Sequence, residues 1–404
     1  MRFRTLDDAD LKGKRVLVRV DLNVPMHEGE VADVSRIERN SPTISEIADR
    51  GGKVILLSHY GRPKGRDPKE SLKPVVAAVA RIIGRPIAFA DDCIGDAAEQ
   101  AVARLKPGDI LCLENTRFYK GEENNDPAFA AALAKLGDIY VDDAFSVAHR
   151  AHASVEAIAH LLPAYAGRAM QEELAALEKA LHTPQRPVAA IVGGAKVSTK
   201  LDLLGNLLNH VDTLIIGGGM ANTFLAAQGK AVGKSLCEND LKQTARDILA
   251  KAKSLNREIV LPVDVVVAQT FAAHAPSRVV SVDEVGANDM ILDIGPRTIE
   301  YVVSVLARTK TLVWNGPFGA FEMEPFDTGT VEVAEAAAEL TARGKLVSIA
   351  GGGDTMAALN LAGVTGRFTY VSTAGGAFLE WLEGKVLPGV EVLKATPTPA
   401  AASS

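Results

Sequence analysis

Short apolar runs rich in valine and isoleucine alternate, along almost the whole chain, with alanine-rich segments such as Glu332–Ala342, which has the period of an amphipathic helix. Strand, helix and strand at this spacing are typical of parallel sheets that helices cover on both faces. We therefore predict an α/β fold of doubly wound, Rossmann-like parallel sheets. The predicted strands are Arg15–Val20, Lys53–Leu57, Asp109–Leu113 and Asp138–Val141 in the first half, and Val188–Val192, Thr213–Ile216, Thr311–Trp314 and Lys345–Ile349 in the second.

The length of the chain indicates that these strands are divided between two domains. With 404 residues it exceeds what one hydrophobic core usually organises. A polar helix predicted at Gln171–Leu181 is followed by Pro184 and Pro187, which end a helix and are typical of an exposed connection. We predict an N-terminal domain over residues 1–170, a hinge helix and linker over 171–187, and a C-terminal domain over 188–386. The alternative, one more surface helix inside a single large sheet, fits this length less well.

Composition argues against several classes of partner. The formal net charge of -6 provides no basic excess for general binding of nucleic acid. Three widely spaced cysteines, Cys93, Cys112 and Cys237, indicate a reducing compartment. The first residues lack the apolar core of a signal peptide, and no stretch approaches the roughly 20 apolar residues that span a bilayer. We expect a soluble cytoplasmic protein without a membrane partner. We also expect a monomer, since the two sheets use every amphipathic stripe.

Polar and basic residues follow the predicted strands of the first half. Asp21 and Asn23 come directly after the first strand and, in an extended segment, both face the same side. Ligands bind beyond the carboxyl ends of strands in α/β sheets, although Asp and Asn at a strand end are equally typical of a simple turn. Four arginines lie near strand ends or a helix start on a chain that is acidic overall. They are Arg36, Arg62, Arg117 and Arg150. A single surface arginine is usually solvated, but four such guanidinium forks predict a site for a phosphorylated acid.

The strands of the second half end in glycines. The three glycine segments are Gly193–Lys200, which contains Lys196 and Lys200, then Gly217–Met220, and Gly351–Thr355. Glycines at these points let backbone N–H groups and a helix N-terminus approach phosphate oxygens. One such segment is weak evidence, because tight turns alone demand glycine. Three of them, with two lysines and with Asp354 as a ligand for Mg²⁺, favour a nucleotide site. Glu322, beyond another strand, can accept hydrogen bonds from ribose hydroxyls.

These segments together resemble the phosphoglycerate kinase family, and they occur in that family's order. The matching segments are RVDLNVP from Arg19, SHYGRP from Ser58, ENTRF from Glu114, DDAF from Asp142, HRAHAS from His149, GGAKVSTK from Gly193, IIGGGM from Ile215, WNGPFGAFE from Trp314 and GGGDT from Gly351. Two positions depart from the family pattern. Tyr60 replaces an aliphatic residue, and Ser146 with Val147 stands where Gly-Thr is common.

The resemblance implies two doubly wound domains that face a cleft, with 3-phosphoglycerate on the first and Mg²⁺ with ADP or ATP on the second. It also implies a C-terminal segment, here from Leu387, that returns to the first domain. By matching position, the glycerate substrate would contact Asp21, Leu22, Asn23, Arg36, His59, Tyr60, Gly61, Arg62, Arg117 and Arg150. The nucleotide would contact Lys196, Lys200, Gly218, Asn315, Glu322, Gly352, Gly353, Asp354 and Thr355, with Arg36, Lys200 and Gly353 in catalysis and Asp354 on the metal.

The implied reaction needs no general base, and the sequence offers no obvious one. The nucleophile is a carboxylate or an ADP oxygen that is already ionised at neutral pH. The requirements are in-line positioning, positive charge and closure of the domains to exclude water. The alternative is a non-catalytic sensor of nucleotides or sugar phosphates. Such a sensor would keep both pockets but would not need Arg36 together with both lysines.

Overall fold

Each half of the chain builds a six-stranded parallel sheet in the computed structural model, which describes residues 2–395. The chain divides into two units. One comprises the chain up to Leu174 and the segment from Val386 onward, and the other comprises Ala175–Lys385. Of the helices within residues 2–395, none combines the length and the apolar character needed to cross a membrane.

The sheet of the first unit has the order β5-β6-β4-β1-β7-β8, so that β1 lies between β4 and β7. A short antiparallel hairpin, β2 and β3, follows β1. The strands are β1 Arg15–Arg19, β2 Met26–His27, β3 Glu30–Val31, β4 Lys53–Leu57, β5 Ala88–Phe89, β6 Ile110–Cys112, β7 Ile139–Asp142 and β8 Ala164–Ala166. The helices are α1 Ser35–Asp49, α2 Lys73–Ile83, α3 Gly95–Ala103, α4 Lys120–Glu123, α5 Pro127–Ala134 and α6 Arg168–Leu177.

The second unit contains a sheet of order β11-β10-β9-β15-β16-β17 and a separate antiparallel sheet of order β13-β12-β14. Its strands are β9 Val188–Val192, β10 Thr213–Ile216, β11 Glu258–Val260, β12 Asp264–Ala268, β13 Ser277–Ser281, β14 Met290–Ile294, β15 Thr311–Asn315, β16 Val347–Gly351 and β17 Tyr370–Ser372. Its helices are α7 Leu201–Leu208, α8 Gly218–Ala227, α9 Lys242–Ser254, α10 Pro296–Ala307, α11 Thr328–Ala342, α12 Gly353–Ala362 and α13 Gly376–Leu382.

The central strands of both sheets are buried on both faces. In β1 the consecutive residues Val16, Leu17 and Val18 are all fully buried, and all five residues of β9 are buried. A strand that is covered on both sides shows a continuous apolar run rather than an alternating one. This is why the runs of valine and isoleucine predicted parallel sheets, and the α/β fold with two parallel sheets is confirmed.

All eight predicted strands are present, with ends that differ by at most two residues. The largest shift is at β16, which was predicted at Lys345–Ile349 and occupies Val347–Gly351. The prediction omitted β5, β8, β11 and β17, which have only two or three residues at or near the sheet edges, and it omitted the antiparallel sheet. Strands of two or three residues carry too few positions for a periodic pattern to appear, whereas β12, β13 and β14 have five residues each and were overlooked.

Helix α6 continues into a π-helical turn, Glu178–His182, and the division between the units falls within the helix, after Leu174. The chain returns to the first unit through α14, Pro388–Glu391. There the N–H of Gly389 donates to the carbonyl of Ala148 at 2.8 Å, and Lys394 forms a β-bridge with Phe3. The sequence of the tail Ala395–Ser404 is of low complexity, for which we predict disorder, and it lies outside the described residues apart from Ala395.

Candidate active site

The segment that follows β1 carries a buried carboxylate, Asp21, that is held by three contacts. Its Oδ1 accepts the backbone N–H of Asn23 at 3.0 Å, and its Oδ2 accepts the hydroxyl of Ser146 at 2.6 Å. The same Oδ2 lies 3.2 Å from Nη1 of Arg36. These contacts orient the carboxylate in the absence of a ligand. Carboxylate oxygens have about four lone-pair positions, so Asp21 can still accept a hydrogen bond from a ligand hydroxyl.

Arg36 lies in the first turn of α1, and that helix is anchored one turn later. Nη1 of Arg36 also donates to the carbonyl of Asn23 at 3.2 Å, while 39% of the Arg36 side chain remains exposed. The anchor is Asn40, whose Nδ2 donates to the buried carboxylate of Asp143 at 2.8 Å. The guanidinium is therefore oriented by its own contacts and by the anchored helix, and part of its fork remains available to an anion.

The imidazole of His59, just beyond β4, is buried and has a defined proton position. Its Nδ1 lies 3.0 Å from Nη2 of Arg19. A guanidinium can only donate, so Nδ1 accepts and the proton must be on Nε2. Burial, and then the positive charge of Arg19, keep the pKa of His59 far below its usual value. Arg19 is itself held by Ser154 at 2.9 Å, and the Ser154 hydroxyl donates to Glu122 at 2.7 Å.

The loop after His59 is held by Asn115 from the next segment of the site. Asn115 accepts the N–H of Tyr60 at 3.1 Å and donates to its carbonyl at 2.7 Å. The N–H of Gly61 donates to Asn23 Oδ1 at 3.0 Å, and its carbonyl accepts from Arg117 at 3.0 Å. Gly61 has a φ of +63°, in the left-handed region that favours glycine. The loop thus links Asn23 and Arg117 into one site.

The side chains of two predicted substrate-binding residues contribute to the hydrophobic core. Leu22 is 1% exposed within the core beside β1, and its N–H donates to the hydroxyl of Ser58. Tyr60 is half-buried and packs against the same core. In this arrangement Leu22 can offer a ligand only its backbone, whereas the ring of Tyr60 keeps an exposed part.

Three more arginines, Arg62, Arg117 and Arg150, add positive charge to the region of the first unit around His59. Arg62 and Arg150 are exposed, and Arg62 has no hydrogen bond or ion pair to any residue between 2 and 395. Arg117 is 8% exposed, lies 3.5 Å from Glu123, and has its pKa lowered chiefly by burial. The charges of Arg117 and Arg150 both lower the pKa of His59, which shows that they converge on this region. Such a cluster suits a ligand that bears both a carboxylate and a phosphate.

In the second unit, the chain segments that follow β9 and β10 touch backbone to backbone. Gly218 opens α8 with a φ of +68°, and a Cβ atom there would lie 2.5 Å from the carbonyl oxygen of Gly194. That same carbonyl accepts the N–H of Met220 at 3.0 Å. Only glycine permits this approach at position 218. The predicted role of Gly218 in nucleotide binding is therefore accompanied by a structural role in holding α8.

Asn315, at the end of β15, joins the other two predicted nucleotide segments. It accepts a hydrogen bond from Nζ of Lys200, and its Nδ2 donates to the carbonyl of Gly351 at 2.9 Å. The next residue, Gly316, donates its N–H to the hydroxyl of Thr355 at 2.7 Å. Thr355 is 2% exposed, so its hydroxyl serves this internal contact. Folding therefore brings together residues that are 115 positions apart in the sequence, as Lys200 and Asn315 are.

The N-terminus of α12 lies beside this group. The helix begins at Gly353 after Gly352, whose φ is +104° and where a Cβ would come within 2.7 Å of Asn315 Nδ2. A Cβ on Gly353 would meet no atom within 4 Å. Burial lowers the pKa of Lys200, and the negative charge of Asp354 in the first turn opposes that effect. Free N–H groups of a first helical turn next to a lysine form an anion site.

A cleft of about 320 Å³ within the second unit extends from this helix end. Three of the nine predicted nucleotide-binding residues line it, Gly218, Glu322 and Asp354. The six that do not line it are Lys196, Lys200, Asn315, Gly352, Gly353 and Thr355. Its apolar wall consists of Leu236, Phe271, Leu292, Phe318 and Met323. Leu236 and Phe271 are 54% and 65% exposed, which is unusual for large apolar side chains. One polar end and one apolar wall are the features of a small-molecule site.

Several residues of these two sites were not predicted from the sequence as site residues. Asn115 and Ser146 contact residues that were predicted to bind the glycerate, Asp143 holds α1 through Asn40, and Asn222 and Phe271 line the cleft. Asn115 and Asp143 belong to matching segments, so the motif was a usable signal. Phe271 stands outside every motif, and only the fold brings it to the cleft.

Comparison with known proteins gives one consistent result. A family model described as phosphoglycerate kinase matches residues 6–385. The chain is 67% identical to phosphoglycerate kinase of Bradyrhizobium diazoefficiens, over 97% of this chain and 99% of that protein. It is also 67% identical to the Azorhizobium caulinodans protein of the same name, with the same coverage. The solved phosphoglycerate kinase of Coxiella burnetii superimposes with a TM-score of 0.91 at 44% identity, covering 97% of this chain and 99% of that one.

Proposed function

Because this chain belongs to the phosphoglycerate kinase family, we propose that its first unit binds the glycerate substrate and its second unit binds the nucleotide. The enzyme transfers a phosphoryl group reversibly between 1,3-bisphosphoglycerate and ADP, which gives 3-phosphoglycerate and ATP in glycolysis. A non-catalytic sensor, the alternative from the sequence, is not favoured, since relatives that match nearly the whole chain are named as the kinase.

The glycerate assignment rests on the oriented group of Asp21, Arg36 and His59. A hydroxyl of the glycerate can donate to the Asp21 carboxylate, and the acid end can accept from Arg36. His59 offers the Nε2–H of a neutral imidazole, which donates to an anion without adding charge. The dianionic phosphate then suits the arginine cluster of Arg62, Arg117 and Arg150.

The nucleotide assignment rests on the contact of Lys200 with Asn315 and on the N-terminus of α12, whose Asp354 lines the cleft. The phosphates would lie against the Lys200 ammonium and the N–H groups that begin at Gly353. The sugar would lie towards Glu322, and the flat base would cover the apolar wall that includes Leu236 and Phe271. This order places the phosphates where positive charge is concentrated.

Asp354 would hold Mg²⁺ on the nucleotide phosphates. Among residues 2–395 no group of three or more His, Cys, Asp or Glu side chains could hold a metal on its own. A single carboxylate still fits Mg²⁺, which proteins commonly bind through one or two carboxylates together with substrate phosphates. When bound there, the cation neutralises negative charge on the phosphate oxygens, as in other phosphoryl transfers.

Catalysis by these residues would be electrostatic and positional. Neither the carboxylate nor the ADP oxygen needs to lose a proton, so no side chain has to act as a base. Arg36, Lys200 and the first N–H groups of α12 would stabilise the negative charge on the phosphoryl oxygens in the transition state. Burial lowers the pKa of Lys200, and the negative charge of Asp354 acts in the opposite direction, in favour of the charged ammonium.

The residues proposed for the two substrates belong to different units, so direct transfer requires the substrates to be brought together. We propose that the chain bends for this purpose over residues 171–187, which include the end of α6 and its π-helical turn, and at the returning C-terminal segment, since the chain passes between the units at these two places. A ligand that contacts one unit alone cannot strongly favour such a rearrangement. Small-angle scattering with each substrate alone and with both tests this, and compaction is expected only with both.

We further propose that the enzyme is a cytoplasmic monomer. The three cysteines, Cys93, Cys112 and Cys237, are all free thiols, as is usual in a reducing compartment. Size-exclusion chromatography with light scattering measures the mass directly. A value near 42.6 kDa supports the monomer, and twice that mass contradicts it.

The function is tested by formation of ATP from 1,3-bisphosphoglycerate and ADP, with Mg²⁺ present and with Mg²⁺ removed by a chelator. We expect turnover only with Mg²⁺. Binding of both ligands without any turnover would instead support the sensor. Arg36→Lys is the discriminating variant, because a sensor needs only affinity from this residue whereas the kinase needs its charge distribution in the transition state.

A further inference from the structure

Asp143, the residue directly after β7, has a buried carboxylate that is shared by two helices. Its Oδ1 accepts the backbone N–H of Ala169 at 2.9 Å and that of Met170 at 3.3 Å, both in the first turn of α6. Its Oδ2 accepts Nδ2 of Asn40, in the second turn of α1, at 2.8 Å. Asp143 and Asn40 are 3% and 4% exposed. The carboxylate therefore joins the two helices through hydrogen bonds from which water is excluded.

The position of Asp143 is itself fixed by the sheet. Its backbone N–H donates to the carbonyl of Arg19, the last residue of β1, at 2.9 Å. Its main-chain carbonyl accepts a second hydrogen bond from Nδ2 of Asn40, at 2.9 Å. A Cβ atom on Gly167 would lie 2.1 Å from Oδ1 of Asp143, so only glycine lets the carboxylate reach the start of α6. Asn40 is thus held by a residue that the sheet holds.

Asn40 shares one face of α1 with Arg36 and Thr43, at positions i, i+4 and i+7. Thr43 also contacts α6, because its hydroxyl accepts the N–H of Arg168 at 2.8 Å. Pro42 has no N–H, so it cannot donate to the carbonyl four residues before it, as other helical residues do. The turns that carry Arg36 and Asn40 therefore have one hydrogen bond fewer to the rest of α1, and the contact of Asn40 with Asp143 holds them from outside.

Packing alone does not account for this polar pair. Three side chains of α1, Ile37, Ile44 and Ile47, already bury the helix in the core of the first unit. A buried carboxylate lowers stability unless its oxygens are hydrogen-bonded, so an apolar contact would serve packing better. Hydrogen bonds add direction, because they fix the rotation and the position of a helix. A group that acts on a transition state must be held within about 0.5 Å of its productive position.

We propose that Asn40 and Asp143 are positioning residues for phosphoryl transfer and that they act through Arg36. They hold the turn of α1 that carries the guanidinium against β7 and α6, so that its fork meets the transferred group in a defined position. The inference depends on the proposed function, since it requires Arg36 to act on the transition state. Because neither residue is proposed to touch a substrate, loss of the pair should lower kcat far more than it raises KM.

A double-mutant cycle tests whether the pair acts through Arg36. Asn40→Ala should lower kcat for ATP formation by about tenfold to a hundredfold, as a displacement of roughly 1 Å does, with little change in the KM for 1,3-bisphosphoglycerate. In the Arg36→Lys background the same substitution should lower kcat little further, because the guanidinium that it displaces is already absent. Asn124→Ala, at an exposed asparagine of the first unit, should leave kcat unchanged in both backgrounds.

Exchange of the two side chains tests the hydrogen bond itself. At mildly alkaline pH, Asn40→Asp opposes one carboxylate with another and should lower kcat at least as much as Asn40→Ala. Addition of Asp143→Asn should recover part of this loss, because the new amide can accept from α6 and donate to position 40. Asp264→Asn is the matched control and should leave kcat unchanged. Asp264 is also buried at a helix start, where it accepts the N–H groups of Arg297 and Thr298.

The unfolding temperature of each variant, followed by circular dichroism, separates a loss of stability from a loss of kcat. A lower unfolding temperature of Asn40→Ala with an unchanged kcat would overturn the proposal. An equal loss of kcat in the wild-type and Arg36→Lys backgrounds, or no recovery in the exchanged enzyme, would also overturn it. The two designs are independent, so either one decides if a variant of the other fails to fold. Arg36→Lys with an unchanged kcat would instead refute the proposed catalytic role of Arg36.

Discussion

Nη2 of Arg19 donates to Nδ1 of His59 across 3.0 Å, and both side chains are buried. The imidazole is thereby neutral, with its proton on Nε2, and the arginine charge opposes the addition of a second proton. The pKa of His59 is far below the usual value, first because of burial and then because of Arg19. This pair connects the core of the first unit with the residues proposed to bind the glycerate.

We expect His59 to remain neutral between about pH 5 and about pH 8, the range in which an ordinary histidine changes charge. Long-range ¹H–¹⁵N NMR should show one fixed tautomer, with His59→Gln used to assign the His59 signals. In the unfolded chain the same residue binds a proton below about pH 6.5. The unfolded state then holds more protons, so His59 lowers folding stability as the pH falls below that value. A His59 signal that titrates near pH 6.5 would contradict this.

Ser146→Ala should raise the KM for 3-phosphoglycerate with little change in kcat. The lost hydroxyl donates to Oδ2 of Asp21 at 2.6 Å, and without it the carboxylate that should receive the substrate hydroxyl is less firmly oriented. A hydrogen bond to a charged group is worth about 1.5–3 kcal/mol, so a KM rise of about tenfold is expected. Ser304→Ala, at an exposed serine of α10, is the matched control. An unchanged KM would show that Arg36 and Asn23 alone position Asp21.

Arg36→Lys should lower kcat by a factor of about 10² to 10³, the usual effect of losing one donor that acts on the transition state. A lysine keeps the charge but cannot contact Asp21, Asn23 and a substrate oxygen with one planar fork. Single-turnover kinetics in the ATP-forming direction separates an effect on phosphoryl transfer from an effect on product release. Arg343→Lys, at an exposed arginine after α11, is the control for replacing an arginine by a lysine, and it should leave kcat unchanged. An effect confined to KM would make Arg36 a simple substrate anchor.

Gly353→Ala should leave the fold intact and still impair the nucleotide site. A Cβ there meets no atom of the protein within 4 Å, so only a ligand would be obstructed. Loss of a hydrogen bond to a charged phosphate predicts a fall in kcat/KM for ADP of about tenfold to hundredfold. Gly205→Ala, whose Cβ would also be unobstructed, should keep full activity and gain about 0.5–1 kcal/mol of stability in α7. Full activity of Gly353→Ala would remove Gly353 from the site.

Asp354→Asn should lower the Mg²⁺-dependent kcat/KM for ADP by at least about a hundredfold, or about 2.7 kcal/mol. It should also lower the pKa of Lys200 further, because the Asp354 charge opposes the effect of burial. The alkaline limb of the pH profile would then move to lower pH. Calorimetry should show unchanged binding of 3-phosphoglycerate, since the residues proposed for it belong to the other unit. A large loss of that affinity would contradict the assignment of substrates to units.

The central strands and the segments that follow them could be predicted from the sequence because each depends on neighbouring residues. β4 and β9 were predicted with their observed ends, and the glycine segments Gly217–Met220 and Gly351–Thr355 were predicted at strand ends, where α8 and α12 begin. The prediction missed β5, which has two residues, and it also missed β12, although Asp264–Ala268 contains an apolar run like that of β9. These elements exist because the rest of the fold supplies partners for their backbone groups.

The contacts that orient the site residues depended on tertiary structure. Asn40 meets Asp143 across 103 residues of sequence, and Ser146 meets Asp21 across 125. No local pattern contains both members of such a pair, so neither the anchor of α1 nor the orientation of Asp21 could be predicted.

By itself, the sequence determined the fold class and the family, and it predicted the chemical character of two sites, because apolar periodicity and strand-end motifs are local properties of the chain. Only the tertiary structure decided which atoms of those motifs remain free for a ligand. The Thr355 hydroxyl accepts the N–H of Gly316, and the Leu22 side chain is buried in the core. Asn222 has an acceptor atom without a hydrogen-bond partner among residues 2–395. Hydrogen bonding and burial are settled between residues distant in sequence, and each is known only when the chain has folded.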